Sequence, residues 1–220
     1  MDRVSDKIIG RLARYRALLT DRLPVDRPHI FSHEISAAMR LTPSQVRRDL
    51  MVLGYFGVPR HGYEVAELVR HLDEFLSFNR VNPVAVVGAG NLGRALIAFL
   101  EARRATIRIA AAFDVDPAKC SRVFSGVKCH PMEALEEVLA KESVRIAVLC
   151  VPANVAQATA NRLIAAGVKG FLNFAPVPLR VPAGVTLEEL DLTSALEKVV
   201  FFTNSPSGGT ARPRPSTEDL

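Results

Sequence analysis

The stretch Val84-Ala85-Val86-Val87-Gly88-Ala89-Gly90-Asn91-Leu92-Gly93 decides the fold. Its apolar half reads as a buried parallel strand, and Leu92, Leu96, Phe99 and Leu100 then recur at helical spacing. The G-x-G-x-x-G between them gives each glycine a task. Gly88 permits a tight turn, Gly90 lets the backbone approach a pyrophosphate, and Gly93 lets the helix pack closely on the strand. Unpaired N–H groups and the dipole at the helix start favour a phosphate, so Ala89, Asn91 and Leu92 join the glycines as candidate contacts. A second strand, Ile107 to Phe113, ends in Asp114. That is about twenty residues past the last glycine, where a carboxylate accepts hydrogen bonds from an adenosine ribose. The pattern predicts a dinucleotide site. The competing account is a strand-turn-helix whose glycines serve packing alone.

Downstream, the periodicity continues as a doubly wound α/β domain with a parallel sheet. Val127 to His130 reads as a short strand, Met132 to Glu142 as a helix, and Arg145 to Val151 as an apolar strand. Val155 to Ala166 is an alanine-rich helix, and Gly170 to Ala175 is a strand stopped by Pro176. Val185 to Leu190 is a last strand. Carboxyl ends of strands line the ligand crevice in such sheets, which nominates Val151 and Pro152, and then Ala175 and Pro176, as its wall. Asp116 either caps the following segment or touches ligand. Asp191 caps a terminal helix whose Leu192, Ala195, Leu196, Val199, Val200, Phe201 and Phe202 need cover from their own sheet or a second chain.

With 220 residues, nearly half of them hydrophobic, the chain has room for two small domains or one large one. No apolar run reaches membrane-spanning length, and Arg3, Lys7, Arg11 and Arg14 interrupt any signal-peptide pattern. Three cysteines fit reduced thiols and a cytoplasmic address. Cys120 and Cys129 are too far apart for a zinc pair, and Cys150 lies inside an apolar strand, so no metal is expected. Residues 114 to 191 hold one histidine, His130, and no histidine–carboxylate pair or crevice lysine stands out for hydride chemistry. The domain reads as a binder of dinucleotide rather than an enzyme.

Charge is distributed unevenly. Residues 1–80 carry twelve of the twenty-two arginines and four of the five histidines, which points any phosphate-binding role of the basic chain to that end. Val4, Ile8, Leu12, Tyr15 and Leu19 stripe a first helix from Val4 to Leu19, with Arg3, Lys7, Arg11 and Arg14 on a second, basic stripe. Ser32 to Met39 is a short helix. Thr42 and Gln45 then form a capping-box pair with Pro43 at the first helical position. At about 100° per residue, Val46, Leu50 and Leu53 share one face, and Ser44, Arg47, Arg48 and Met51 the opposite one. Two helices across a tight turn, the second exposing arginines, match a helix-turn-helix entering a major groove. Gly54 to Val65 reads as a hairpin with Arg60 and His61 near its tip, the wing of a winged helix. Val65 to Leu76 is amphipathic, and residues 77–83 make a hinge. The domains expected are 1–80 for DNA, 81–191 for dinucleotide, 192–204 as a C-terminal helix and 205–220 as a disordered tail.

Gln45-Val46-Arg47-Arg48-Asp49-Leu50, Gly62-Tyr63, the glycine loop, Phe113-Asp114-Val115-Asp116-Pro117 and Asn173-Phe174-Ala175-Pro176 together resemble the Rex family of bacterial redox-sensing transcriptional repressors. The resemblance covers about residues 5 to 203. It implies a homodimer that binds an inverted-repeat operator in double-stranded DNA through two winged helices, Thr42, Ser44, Gln45, Arg47, Arg48, Arg60 and His61 being the candidate contacts. It implies that NADH closes the dimer and releases DNA while NAD⁺ permits binding, and that the C-terminal helix is exchanged between subunits. Two departures stand out: Arg47-Arg48 where the family usually has Arg-Lys, and Pro59-Arg60-His61-Gly62-Tyr63 where it has Arg-Gly-Val-Gly-Tyr. A dehydrogenase with a helical extension, or a CoA-binding module, are the rival classes.

Overall fold

The computed structural model describes residues 4–21, 27–76, 80–102 and 106–205. Arg3, part of the expected hinge and the tail from 206 onward lie outside them. The chain divides into two compact units, Met1–Val81 and Asn82–Leu220.

In the first unit, α1 (Asp6–Asp21), α2 (Ser32–Met39), α3 (Pro43–Met51) and α4 (Val65–Phe75) surround one core. Leu12, Tyr15 and Leu19 of the expected stripe are buried there, whereas Val4 precedes the helix. Thr42 starts α3: its hydroxyl accepts the Gln45 N–H at 3.2 Å, and Pro43 follows as the first helical residue. The reciprocal half of the expected capping box is absent, because the Gln45 amide donates to Asp49 at 2.9 Å instead. The turn between α2 and α3 runs through Arg40 in the left-handed region (φ 56°), where glycine is the usual choice.

The wing is smaller than expected. Val58 and Gly62 exchange backbone hydrogen bonds of 2.8 and 2.9 Å, closing a tight turn over Pro59-Arg60-His61. Beyond it the second arm, β2 (Tyr63–Glu64), pairs with β1 (His29–Ile30) rather than with its own first arm. Gly62 has φ 77°, and a Cβ there would lie 2.5 Å from the Ile30 carbonyl oxygen, so this crossing requires glycine.

The second unit is a seven-stranded sheet: β3 (Asn82–Val87), β4 (Ile107–Asp114), β5 (Val123–Phe124), β6 (Val127–Pro131), β7 (Ile146–Leu149), β8 (Gly170–Asn173) and β9 (Thr186–Glu189). Their spatial order is β5-β6-β4-β3-β7-β8-β9, and every pairing is parallel except β5 with β6, an edge ribbon the sequence did not announce. The chain winds outward from β3 through β4 to β6, then returns to β7 on the other side of β3. The switch point therefore lies between β3 and β7. Alternate strand residues face two cores. Ala85, Val87, Phe113 and Leu149 meet α6 (Leu135–Lys141) and α7 (Ala153–Ala165), and Val84, Val86 and Ala112 meet Ile97 of α5 (Asn91–Ala102).

Three local expectations change. Leu92 and Phe99 are 39% and 53% exposed, and Gly93 with Ile97 forms the buried stripe of α5. A Cβ on Gly93 would lie 3.5 Å from Val86 Cγ1, so α5 packs on β3 at this glycine. The helix expected from Met132 begins as a 3-10 turn, Met132–Ala134. Helix α7 starts directly after Pro152, two residues early. Helix α8 (Leu192–Asn204) has its Asp191 cap, whose carboxylate accepts the Ser194 N–H at 2.9 Å, and none of its residues is buried.

Candidate nucleotide cleft and nucleic-acid interface

The glycine loop is held between the ends of two neighbouring strands. Gly88 N–H donates to the Phe113 carbonyl at 2.8 Å, and Cys150 N–H to the Val87 carbonyl at 2.8 Å. The three glycines are there for three different reasons. Gly88 has φ 98°, and a Cβ on it would lie 2.3 Å from the Cys150 carbonyl oxygen. A Cβ on Gly93 would lie 1.9 Å from the Gly88 carbonyl oxygen, so α5 can approach only as glycine. A Cβ on Gly90 meets nothing within 4 Å. No protein atom demands glycine at position 90; open cleft lies beside it.

That cleft has a volume of about 700 Å³ and a mostly apolar lining. Gly88, Gly90, Asp114, Val151 and Pro152, all nominated from sequence, line it. Val115, 83% exposed, stands at its mouth. Met132 lines it too, together with a stripe of α7 made by Val155, Ala158, Thr159 and Arg162. Sequence reasoning missed this stripe, although i, i+3, i+4, i+7 spacing on a helix leaving β7 was its signal.

Other nominated residues do different work. Ala89 is fully buried and its N–H is taken by Asp114; Asn91 accepts from Arg94 at 2.7 Å; Leu92 and Gly93 do not line the cleft. Ala175 and Pro176 border a separate concavity of about 150 Å³ beside Glu189 and Asp191, not the glycine-loop cleft. β8 ends at Asn173, whose side chain folds the following loop back by accepting the Ala175 N–H at 3.0 Å.

Asp114 already has protein partners. It is 7% exposed, and its carboxylate accepts the Ala89 N–H at 2.8 Å, the Asp116 N–H at 2.9 Å and the Lys119 ammonium at 3.1 Å. Burial opposes its ionisation, but these donors outweigh burial and hold its pKa below the ordinary carboxylate value. Asp114 thus clamps the glycine loop to β4. Asp116, with 44% of its side chain exposed, accepts the Ala118 N–H at 2.9 Å and keeps its second oxygen 3.6 Å from Lys119.

The ionisable groups lining the cleft are committed. Lys119 pairs with Asp114, and Arg162 makes a two-pronged pair with Glu136 at 2.6 and 2.8 Å. Burial pushes the Cys150 thiol up to about 11, so it is neutral at physiological pH. His130 lies against the Phe113 ring, 5.9 Å between centroids, and burial, then Lys128 and Lys141, lower its pKa. Among the described residues no cluster of three metal-binding side chains occurs, and no helix is long and apolar enough to cross a membrane.

An apolar slot, an open-sided glycine and the free amides of a helix start fit the adenosine and pyrophosphate parts of a dinucleotide. The donor set matches the group on chemistry found in this chain alone.

On the first unit, Thr42, Ser44, Arg47 and Arg48 are all exposed on α3. The Arg47 guanidinium rests on two hydroxyls, Ser32 Oγ at 3.1 Å and Ser44 Oγ at 3.2 Å. Arg60, at φ 66°, and His61 are exposed on the wing turn. Gln45 is half-buried against Asp49, and Arg11, expected on a basic stripe, is bound to Asp49 as well.

A doubly wound nucleotide-binding domain and a winged helix on one chain define a ligand-responsive DNA-binding protein. The redox-sensing transcriptional repressor Rex of Levilactobacillus brevis is 36% identical over 87% of this chain and 91% of its own length. Its counterpart from Caldanaerobacter subterraneus subsp. tengcongensis is 36% identical over 91% and 90%. The chain belongs to the Rex family of redox-sensing transcriptional repressors. A crystal structure of the Rex-family repressor RSP with β-NAD⁺ and operator DNA superposes with TM-score 0.85 at 35% identity, covering 93% of this chain and 94% of that one. The RSP complex with β-NADH gives 0.80 at 34% identity, covering 93% and 96%. Residues 79–177 match the family described as "CoA binding domain", and residues 3–50 the family described as "Putative DNA-binding protein N-terminus".

Proposed function

We propose that this chain is a transcriptional repressor that binds an inverted-repeat operator and is released from it by NADH. One observation carries the reading: the same chain presents an outward arginine pair on a capped helix and a glycine loop with room beside Gly90. In this reading residues 1–80 read DNA and 81–191 hold the nicotinamide dinucleotide. Helix 192–204 joins two copies, and 205–220 is a tail. The protein works in the cytoplasm and carries out no catalysis, since each ionisable group of the cleft already has a partner or stays neutral.

Helix α5 directs its first amides at the pyrophosphate, and Gly90 leaves the space for it. Val115, Met132 and Val155 sandwich the adenine. Asp114 already serves three protein donors and is buried, so the more exposed Asp116 takes the ribose hydroxyls, a carboxylate that disfavours a 2′-phosphate. Ala175 and Pro176, outside this cleft, belong to the nicotinamide end. Reduction removes the positive charge of the nicotinamide ring, and an apolar surround favours the uncharged form. The ligand shifts the dimer between two separations of its recognition helices only by its differential affinity for them. Ser44, Arg47 and Arg48 enter the major groove, Thr42 caps that helix at the backbone, and Arg60 and His61 lie over phosphate or in the minor groove.

The test selects duplexes from a random pool with the full chain, then adds NADH. Release at micromolar NADH is expected, with no release for Gly90→Arg. The Arg47→Ala, Arg48→Ala double variant is expected to bind NADH and no operator. Release of the Gly90→Arg variant by NADH would overturn the cofactor site. The match to the CoA-binding family motivates one further arm, since CoA that binds while NADH does not would reassign the ligand.

A further inference from the structure

Helix α3 buries one charged side chain. Asp49 is 1% exposed, and its carboxylate is full: Oδ1 accepts from Arg11 Nη2 at 2.7 Å and Gln45 Nε2 at 2.9 Å, and Oδ2 from Arg11 Nε at 2.6 Å and the Tyr15 hydroxyl at 2.7 Å. Arg11 and Tyr15 lie one turn apart on α1, and Tyr15 is fully buried. The other inward residues of α3, Val46 and Leu50, meet an apolar core. Apolar contact is non-directional and tolerates a helix rolling about its axis. A two-pronged guanidinium–carboxylate pair does not, because both N–H···O bonds must stay aligned. At about 100° per residue, pinning Asp49 inward turns Ser44, Arg47, Arg48 and Met51 into one outward arc.

We propose that Asp49, gripped by Arg11 and Tyr15, is the positioning residue that sets the roll of the recognition helix, and that Arg11 and Gln45 are locking groups withheld from DNA. This rests on the DNA-binding reading above. It assigns operator discrimination to the geometry of the lock. It also removes Gln45, whose sequence position nominates it as a base reader, from the reading surface.

The test uses the full chain and the duplex that the wild type selects from a random pool. Replacing a buried ion pair by apolar groups of similar volume commonly preserves stability, so Arg11→Met with Asp49→Leu, combined with Tyr15→Phe to leave no buried hydroxyl without a partner, separates folding from positioning. The expected outcome is a normal circular dichroism spectrum with a ratio of selected to random-duplex affinity lowered about tenfold or more. The slope of log affinity against log salt is expected to be unchanged, since no phosphate contact is lost. A merely structural pair would leave the ratio at its wild-type value in this folded variant, and that result overturns the proposal. So does a slope reduced by about one, which would mean that Arg11 had been neutralising a phosphate. If this variant does not fold, Arg11→Lys, which keeps the charge and loses the fork, carries the same measurement. Gln45→Ala is expected to keep the preference at every base pair, and relaxation at a single position would make it a reader. A wild type that selects no duplex fails the DNA-binding reading itself, an outcome distinct from these.

Discussion

Asp114→Asn separates two roles for one residue. If Asp114 reads ribose, the change weakens the ligand and leaves the fold alone. If it clamps the loop, the fold suffers first. The carboxylate serves the Asp116 N–H with Oδ1, and the Ala89 N–H and Lys119 with Oδ2. An asparagine keeps one oxygen, so whichever way the amide is turned its NH₂ faces a backbone donor. Leaving such a donor unsatisfied costs about 1–3 kcal/mol, and the lost charge on the remaining bond adds about 1. The Lys119 pair, whose lysine is about one-third exposed, adds little. The sum is about 2–4 kcal/mol. The chain lacks tryptophan and has two units, so hydrogen exchange at the amides of β3 and β4 is the cleaner assay. Exchange there is expected to accelerate about thirtyfold to several hundredfold at pH 7, taking about 1.4 kcal/mol per tenfold. Asp116→Asn is expected to leave exchange unchanged and weaken NADH about tenfold or more, as loss of a hydrogen bond to a charged group does. Wild-type exchange in Asp114→Asn combined with lost NADH binding would refute the clamp.

Gly93→Ala forces a Cβ to within 1.9 Å of a backbone oxygen and is expected to destabilise the second unit by about 1–3 kcal/mol. Gly90→Ala meets open space, so its melting temperature should match the wild type while NADH affinity falls; equal melting for both variants would count against the geometry. Acid should weaken both units. Burial raises the Asp49 pKa, but hydrogen bonds from Arg11, Tyr15 and Gln45 outweigh it and hold the pKa below its ordinary value of 3.8, as the donors around Asp114 do there. Both contributions are complete above that value and are lost as pH falls through the depressed folded-state pKa. Wild-type stability should therefore drop below about pH 4, more steeply than in Asp49→Asn, when unfolding is followed between about pH 5 and 2. Finally, Leu196→Glu and Phe201→Glu place charges on two sides of α8, where Leu196 and Phe201 are each 64% exposed, and light scattering is expected to show dimers becoming monomers. Unchanged mass in both would mean that α8 is not the interface.

Much of the fold was legible because it rests on short-range patterns. The run into Gly88, the Thr42-Pro43 cap and the Asp191 cap each announce an element through sterics or a local hydrogen bond. The doubly wound parallel sheet followed from alternating strand and helix. What escaped depended on contacts distant in sequence. The wing's second arm pairs with residues 29–30, more than thirty positions upstream, so a local reading made it a simple hairpin. Arg11 looked like part of a solvated basic stripe because its partner lies 38 residues away. Ala175 and Pro176 were placed by strand direction, and what sets their loop is the Asn173 side chain, which accepts the Ala175 N–H and donates to the Val177 carbonyl, a contact that no periodicity announces.

Two buried aspartates share a physical logic. Each lies at the segment that has to meet a ligand, Asp49 on the recognition helix and Asp114 beside the glycine loop. Each is nearly inaccessible, and each gathers donors from elements that would otherwise be free to shift against one another. A carboxylate suits that task because it offers about four lone pairs and no proton, so converging N–H and O–H groups can all be satisfied at one point. Burying it is costly unless every lone pair is used, and this makes the arrangement intolerant of misalignment. Intolerance is what a binding surface needs. A helix or loop fixed before its ligand arrives loses less freedom on binding, and a mismatched ligand finds no easy adjustment. The motif residues therefore divide into those that touch a ligand and those that hold the touching residues still, and only burial and partner geometry tell the two apart.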